Sequence, residues 1–589
     1  MQGVTGRRLL EAWLLGVGSW VLLSLLAWVK LGNPQALATG LISGGLVLAQ
    51  ALFTQAHAWP HRFPTLGTLS DAILLWFAAA LWLSLVLGSF LWLWTDGPTW
   101  FLGSPHNLGD ASLHVGLAEY LSSWPDFWPE APWLSGAPLG YPMGMNLLHA
   151  LLIDLGWDVR GSYILLGLAG SLALGLALYF WAGAWGLLAF LGAGGLVGWS
   201  ELSSANWGDP QSQLDWKALW HTHWVTQRGL LWAWPAGLWV LVQLREWQLN
   251  RGCPNAAGVA LVCAVMPLFH AHSWLFLMGL VTFHLAVRRK LWRPLSMVWL
   301  SGALGGGASL TLTTGFFYPR DDTFAFQPGW MQGEDGWLYW WNNFGLWLPL
   351  ALTLALVTSV ALFFWWLKAR RLPILGWIGE LRQTAMFLVP GMLCLILCLL
   401  VRFAPWAWDN TKLMAWCYII SIPCLISALY GQRRRIMVLI FGVALLFGGG
   451  IRSTWGGHLY GGQGFEWTDP IAIKELQSVL QQEKNVERIA VAPHYAHPAL
   501  LAGYPVVLGY EAHLWSHGLD YKWQRQRLLD LLGQADWQRA AAELTVSHLV
   551  WDKHMETWLA EQGLEVQKAG WSENLVARGS FGELYRIAR

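Results

Sequence analysis

The chain has 589 residues, of which 55% are hydrophobic and 12% charged, with a mean hydropathy of +0.40; that is more apolar surface than one soluble core can hide. A net charge of +1 gives no field for holding polyanions, so nucleic acid is excluded as a general partner. The fold class implied is a polytopic α-helical membrane protein followed by a small α/β domain.

Apolar runs suited to a hydrocarbon layer of ~30 Å recur at residues 9–31, 36–56, 71–95, 160–182, 184–199, 227–244, 256–269, 272–287, 294–314, 346–366, 383–401, 412–430 and 436–450. They predict about thirteen transmembrane helices within residues 1–450. Arg7 and Arg8 before the first run resemble a signal peptide, but no small-residue cleavage site follows, so this run reads as a retained anchor. Placing the N-terminus in the cytoplasm puts Arg245, Arg251, Arg288, Lys290, Arg293, Lys368, Arg371 and Arg433 to Arg435 inside with it. That is the positive-inside pattern. It leaves the loops near 97–158, 200–226, 315–345 and 402–411, and the C-terminal region, on the extracytoplasmic side.

Residues 97–158 are too long for a plain connection. Within them GDASLHVGLAEY (109–120) reads as an amphipathic surface helix, with Leu113, Val115, Leu117 and Leu121 against apolar partners and Asp110, His114 and Glu119 toward water. Asp110 and His114 are four apart and share a face. A carboxylate there also suits a helix N-terminus, whose free N–H groups it satisfies, so structural and catalytic readings are both open. YPMGMNLLHALL (141–152) reads as a turn entering a second surface helix.

WHTHWVTQRGLLWAWP (220–235) gathers His221, His223, Gln227 and Arg228 at the outer mouth of a span. Snorkelling accounts for such an Arg, but its place against the charge bias favours an anionic partner. FHAHSW (269–274) sets His270 and His272 between two short spans; an i, i+2 pair shares no helix face, so structural hydrogen bonding competes with metal binding. The loop YPRDDTFAFQPGWMQGEDGW (318–337) is polar and punctuated by Gly and Pro, a lid, an acceptor-side loop or a solvated face. RFAPWAWDNTKLMAW (402–416) places Arg402, Asp409, Asn410 and Lys412 between two span ends. Cations held there suit the phosphate of a lipid-tailed molecule, the alternative being an Arg402–Asp409 or Lys412–Asp409 ion pair that staples the loop.

The six cysteines lie in or beside spans and show no zinc spacing. Most of the 46 tryptophans fit an interfacial belt, and the Trp-rich loops also offer stacking faces for sugar rings. Residues 455–589 alternate helical patterns with short strands starting at Arg488, Pro505, Ser547 and Glu583, a small α/β domain. GYEAHLWSHGLDY (509–521), with Trp515 and His517, follows the second strand, where α/β folds present functional loops.

A long loop after an early span, bearing an Asp on a surface helix, resembles the first external loop of GT-C integral-membrane glycosyltransferases. GDASLH, YPMGMNLLH, THWVTQRGLLWAWP, PLFHAHSW, PWAWDNTK and GYEAHLWSHGLDY are similar to a bacterial branch of that type. Here the loop follows the third span rather than the first, and Asp110 precedes Ala111 instead of forming the Asp–Glu pair of some relatives, which argues against a protein-O-mannosyltransferase-like reaction. The resemblance implies an inner-membrane enzyme that moves a sugar from a polyprenyl-phosphate donor to a glycan, lipid or protein acceptor by inversion. It implies Asp110 as general base or as the acidic group that positions the acceptor, His114 holding Asp110 or the phosphate, and Arg228, Arg402 and Lys412 on the donor phosphate. Gln227, His221, His223, His270, His272, Asp409, Asn410, Trp515 and His517 are the candidate substrate contacts. A divalent metal held by Asp110 and a histidine has no diagnostic spacing. The competing readings are a flippase or transporter of a lipid-linked sugar, which inner-half ionisable groups and internal repeats would favour, and a non-catalytic scaffold.

Overall fold

A computed structural model of the chain describes residues 2–32, 39–45, 68–91, 99–103, 107–195, 219–248, 255–320, 324–329, 336–368, 375–430, 441–461, 464–533, 537–564, 568 and 570–587. The bundle is organised around the Leu230–Gln248 helix, which is buried on nearly every side. Trp232, Trp234 and Trp239 on it have no exposed surface, as expected of a helix apolar all round. The Val159–Ala182 helix packs along it, and Arg245 Nη1 and Nη2 donate to the Trp181 and Phe180 carbonyls at 2.7 Å, which satisfies the free C-terminal acceptors of that helix.

Helices farther out turn apolar side chains outward: Ile73, Trp76 and Phe77 on Thr68–Phe90, Leu300 and Leu304 on Trp292–Thr313, Leu393, Ile396 and Leu397 on Leu375–Leu400. Such faces suit lipid and not water. Among the described residues four helices are long and apolar enough to cross a membrane, Gly6–Leu31, Ala72–Phe90, Val159–Ala182 and Trp292–Thr313. Trp337–Phe344 with Trp347–Val360, bent by 94°, makes a fifth if counted as one span. The expected thirteen is therefore not reached on this criterion. Ala184–Leu191 has only 8 residues and Ala256–Phe269 only 14, the latter spanning about 21 Å at 1.5 Å per residue. The expected span at 36–56, most of the loop at 200–226 and the cations Arg433 to Arg435 lie largely or wholly outside the described residues.

Two short ribbons tie loops to one end of the bundle. In antiparallel fashion β1 (Trp100–Leu102) pairs with β4 (Phe465–Thr468), and β2 (Ala325–Phe326) with β3 (Val401–Arg402). After β4 the chain forms a four-stranded sheet in the order β5-β6-β8-β7, from β5 (Arg488–Ala490), β6 (Val546–Trp551), β7 (Leu575–Gly579) and β8 (Gly582–Arg586). Pairing is parallel between β5 and β6 and antiparallel in the other two pairs. The strand expected at Pro505 is an extended segment instead. Val506 bridges Ile489, its N–H donates to the Pro132 carbonyl at 2.7 Å, and Gly509 N–H donates to the Trp133 carbonyl at 2.8 Å. The sheet edge is thus covered by the loop that follows the Asp110 helix.

That helix, Leu108–Ser122, is not amphipathic on a surface. His114 is 2% exposed, and Leu113, Val115, Leu117 and Leu121 are buried alongside Ser112 and Gly116. It lies between the Gly144–Asp154 helix and the Pro498–Leu501 helix, and Trp467 Nε1 donates to Ser112 Oγ at 2.7 Å. Of the side expected to meet water, Asp110 meets Gln227 and His114 meets Asn146, while Ser112 and Gly116 meet the C-terminal region.

Candidate functional site

Where bundle, loops and C-terminal region meet is a cavity of about 470 Å³. One wall is the first turn of the Leu108–Ser122 helix, with Asp110 and His114; a second is the junction of two helices at His270 and His272, beside Gln227. The third is the segment from Phe403 to Lys412, and the fourth the Glu511–Ser516 helix with His517. Backbones approach closely to build it. A Cβ on Gly229 would lie 2.0 Å from the Phe269 carbonyl oxygen, so only glycine brings Gln227 against the His270 junction.

Asp110 sits in the first helical turn, where the helix dipole favours an anion, and also faces the cavity. Structural and catalytic readings therefore describe one placement. Gln227 Nε2 donates to its Oδ2 at 3.1 Å. Burial pushes the carboxyl up from 3.8 to about 6, opposed by the charge of Lys412 and the Gln227 hydrogen bond. His114 does not hold Asp110. Its Nδ1 bonds Asn146 Oδ1 at 2.9 Å, and burial lowers its pKa to about 3, leaving it neutral.

Across the cavity Lys412 Nζ stands 2.8 Å from Asp409 Oδ1. Burial alone would raise Asp409, but Lys412 and neighbouring imidazoles outweigh it and hold the carboxyl below its ordinary value. The loop staple considered from the sequence is therefore present, and both its members line the cavity. His270 is the single extended residue between the helices Ala256–Phe269 and Ala271–Val287. Its Nδ1 accepts from the Ser273 N–H at 3.1 Å as an N-cap, so Nε2 carries the proton. That Nε2 is buried beside the cavity with no hydrogen-bond partner among the described residues. On the fourth wall burial lowers His513 to about 4 and His517 to about 3, so both are neutral near pH 7.

Of the residues singled out from the sequence, Asp110, His114, Gln227, His270, His272, Asp409, Lys412, Trp515 and His517 line this cavity. Five are placed elsewhere. Arg228, 2% exposed, stacks over the Tyr163 ring at 3.9 Å. Arg402 belongs to β3 and pairs through its backbone with Ala325. His221 Nε2 bonds the Thr454 carbonyl at 2.7 Å, and His223 stacks on Trp408 at 4.6 Å and bonds Thr411 Oγ1. Asn410 Nδ2 donates to the Cys398 and Val401 carbonyls while its Oδ1 accepts from the Phe403 N–H. Tyr141, Tyr510, His513 and Arg320 also line the cavity without having been singled out. All four sit inside quoted stretches, Arg320 in a loop whose acidic pairs also suit a solvated face. Among the described residues no three His, Cys, Asp or Glu side chains are arranged to hold a metal ion.

No family model and no curated protein matches the sequence. Among solved structures, the crystal structure of the Archaeoglobus fulgidus oligosaccharyltransferase in the apo form is similar with a TM-score of 0.47 and 11% sequence identity, over 82% of this chain and 70% of that one.

Proposed function

We propose that the chain is a membrane glycosyltransferase that moves a sugar from a polyprenyl-phosphate donor to a hydroxyl-bearing acceptor on the extracytoplasmic side, with inversion and with Asp110 as base. The observation that carries this reading is the cavity itself. A carboxylate with a raised affinity for protons faces a lysine and several neutral imidazoles in one enclosed space. The positive-inside pattern supports the orientation, with the cavity and the C-terminal region facing away from the cytoplasm.

In this reaction Asp110 takes the proton of the acceptor hydroxyl as that oxygen attacks the anomeric carbon. The bond from that carbon to the phosphate oxygen breaks, and its electron pair leaves with the lipid phosphate. A base with a pKa of about 6 is ionised near neutral pH and is basic enough to share the proton in the transition state. Fixed positive charge on the cavity wall stabilises the departing phosphate; Lys412 and Arg320 line that wall, and Arg228 and Arg402 do not. Trp515, half exposed at the cavity, offers a stacking face to the sugar or acceptor.

The test is release of polyprenyl phosphate by the purified chain from a panel of polyprenyl-phosphate sugars. Asp110→Asn is expected to cut release by ~10²–10⁴-fold while the protein stays folded. Transfer that persists in that variant overturns the assignment of the base. Absence of release by the unaltered chain from every donor and acceptor tried, together with movement of lipid-linked sugar across a vesicle membrane, moves the reading to a flippase.

A further inference from the structure

Among the described residues four charged side chains line the cavity: Asp110, Asp409, Lys412 and Arg320. The charge of Lys412 is already met by Asp409 at 2.8 Å. Asp110 feels both Lys412 and the buried Arg228 behind the wall. Arg320 is different. Its Nη2 donates to the neutral Gly140 carbonyl at 2.8 Å, its Nε is buried with no hydrogen-bond partner, and no carboxylate lies in ion-pair contact with it among the described residues. A guanidinium has five N–H donors in a rigid fork suited to phosphate oxygens, and here part of the fork is unspent.

Its mounting is equally specific. A Cβ on Gly140 would lie 3.2 Å from the Thr314 carbonyl carbon and 3.3 Å from Gly315 N, so the backbones approach closely where Arg320 is seated. The segment that carries Arg320 turns aromatic rings outward on both sides: Phe316 and Phe317 before it, 51% and 68% exposed, and Phe324 and Phe326 after it, 69% and 76% exposed. Phe316 and Phe317 hold left-handed backbone angles, φ 57° and 62°, rare for residues of that bulk. The Phe316 ring is fixed edge-on to Trp128 at 5.5 Å. Phe324 stands edge-on to Phe403, which lines the cavity. A cation set between outward apolar rings is placed where a lipid-tailed phosphate enters, with its chain among the rings and its headgroup within reach of the guanidinium.

We infer that Arg320 holds the phosphate of the donor. This rests on the glycosyltransferase reading above and names a binding residue of that same cavity.

The experiment uses the full chain in lipid nanodiscs and compares binding of polyprenyl monophosphate and uncharged polyprenol of equal length. Monophosphate is expected to bind at least tenfold more tightly than polyprenol. Arg320→Gln is expected to erase the monophosphate advantage and leave polyprenol binding unchanged, and Arg320→Lys to restore part of it. Unchanged monophosphate binding in Arg320→Gln overturns the assignment of Arg320. Monophosphate bound no more tightly than polyprenol by the unaltered chain, a comparison that needs no variant, overturns the phosphate seat itself. Monophosphate binding that depends on Arg320 in a chain that transfers no sugar sinks the enzyme and leaves the phosphate seat standing. Sugar transfer unaffected by Arg320→Gln does the reverse.

Discussion

The two carboxylates of the cavity have been given opposite surroundings. Asp110 is desolvated, its one direct polar side-chain contact among the described residues is a neutral amide, and its carboxyl is pushed up to about 6. Asp409 is buried too, but an ammonium at 2.8 Å keeps it ionised and below its ordinary value. Two like groups facing one space with proton affinities driven apart is how a fold separates the group that exchanges a proton from the one that stays charged. What differs is the contact partner rather than the depth. Gln227 stabilises an anion weakly, while Lys412 stabilises it strongly.

The largest effect expected from breaking this asymmetry is at Asp110. Beyond the loss of transfer, Asp110→Asn has a sign that a purely structural carboxylate would not give. The folded chain binds the Asp110 proton more tightly than the unfolded chain, so this group's contribution to stability falls as pH rises from 3.8 to about 6 and is unfavourable above that. The rise from 3.8 to about 6 corresponds to roughly 2–3 kcal/mol. The asparagine variant, inactive, is therefore expected to melt at a higher temperature than the parent at pH 8 and to lose that advantage near pH 4.

Next in size is Lys412→Met, expected to lower transfer by ~10–100-fold through the leaving phosphate. It also leaves Asp409 buried without its cation, so thermal unfolding in detergent is expected at a lower temperature. Because Lys412 lowers the Asp110 pKa, the same variant moves the acid limb of the rate profile upward. Asp409→Asn, which frees Lys412 to meet phosphate, is expected to change transfer by less than ~10-fold and to tighten binding of lipid phosphate. The smallest effect at neutral pH is that of Gln227→Leu. It removes the hydrogen bond that holds Asp110 down and is read as an upward shift of the acid limb by about half a pH unit or more.

Parts of this arrangement were legible in the sequence because they rest on local rules. The helix bearing Asp110, the placing of His270 between two short helices and the Lys412–Asp409 pair all follow from spacing over a few residues of chain. The contribution of the tail followed from a motif, GYEAHLWSHGLDY, and includes Trp515 and His517 at the cavity. What was not legible depended on packing between elements. Arg228 and Arg402 carried the same cue as Lys412, a cation near a span end, yet one folds back onto Tyr163 and the other enters a two-residue ribbon. Arg320 was hidden by the acidic residues beside it. The 109–120 helix, assigned a water-facing side, is enclosed between the bundle and the C-terminal region, a packing that no periodicity within either segment records.

The account stands most directly on the pH dependence of sugar transfer at limiting donor. If Asp110 is the base, kcat/KM falls about tenfold per unit below an apparent pKa near 6, and Gln227→Leu moves that limb upward. A rate independent of pH from about 5 to 8, or a limb that Gln227→Leu leaves in place, contradicts it.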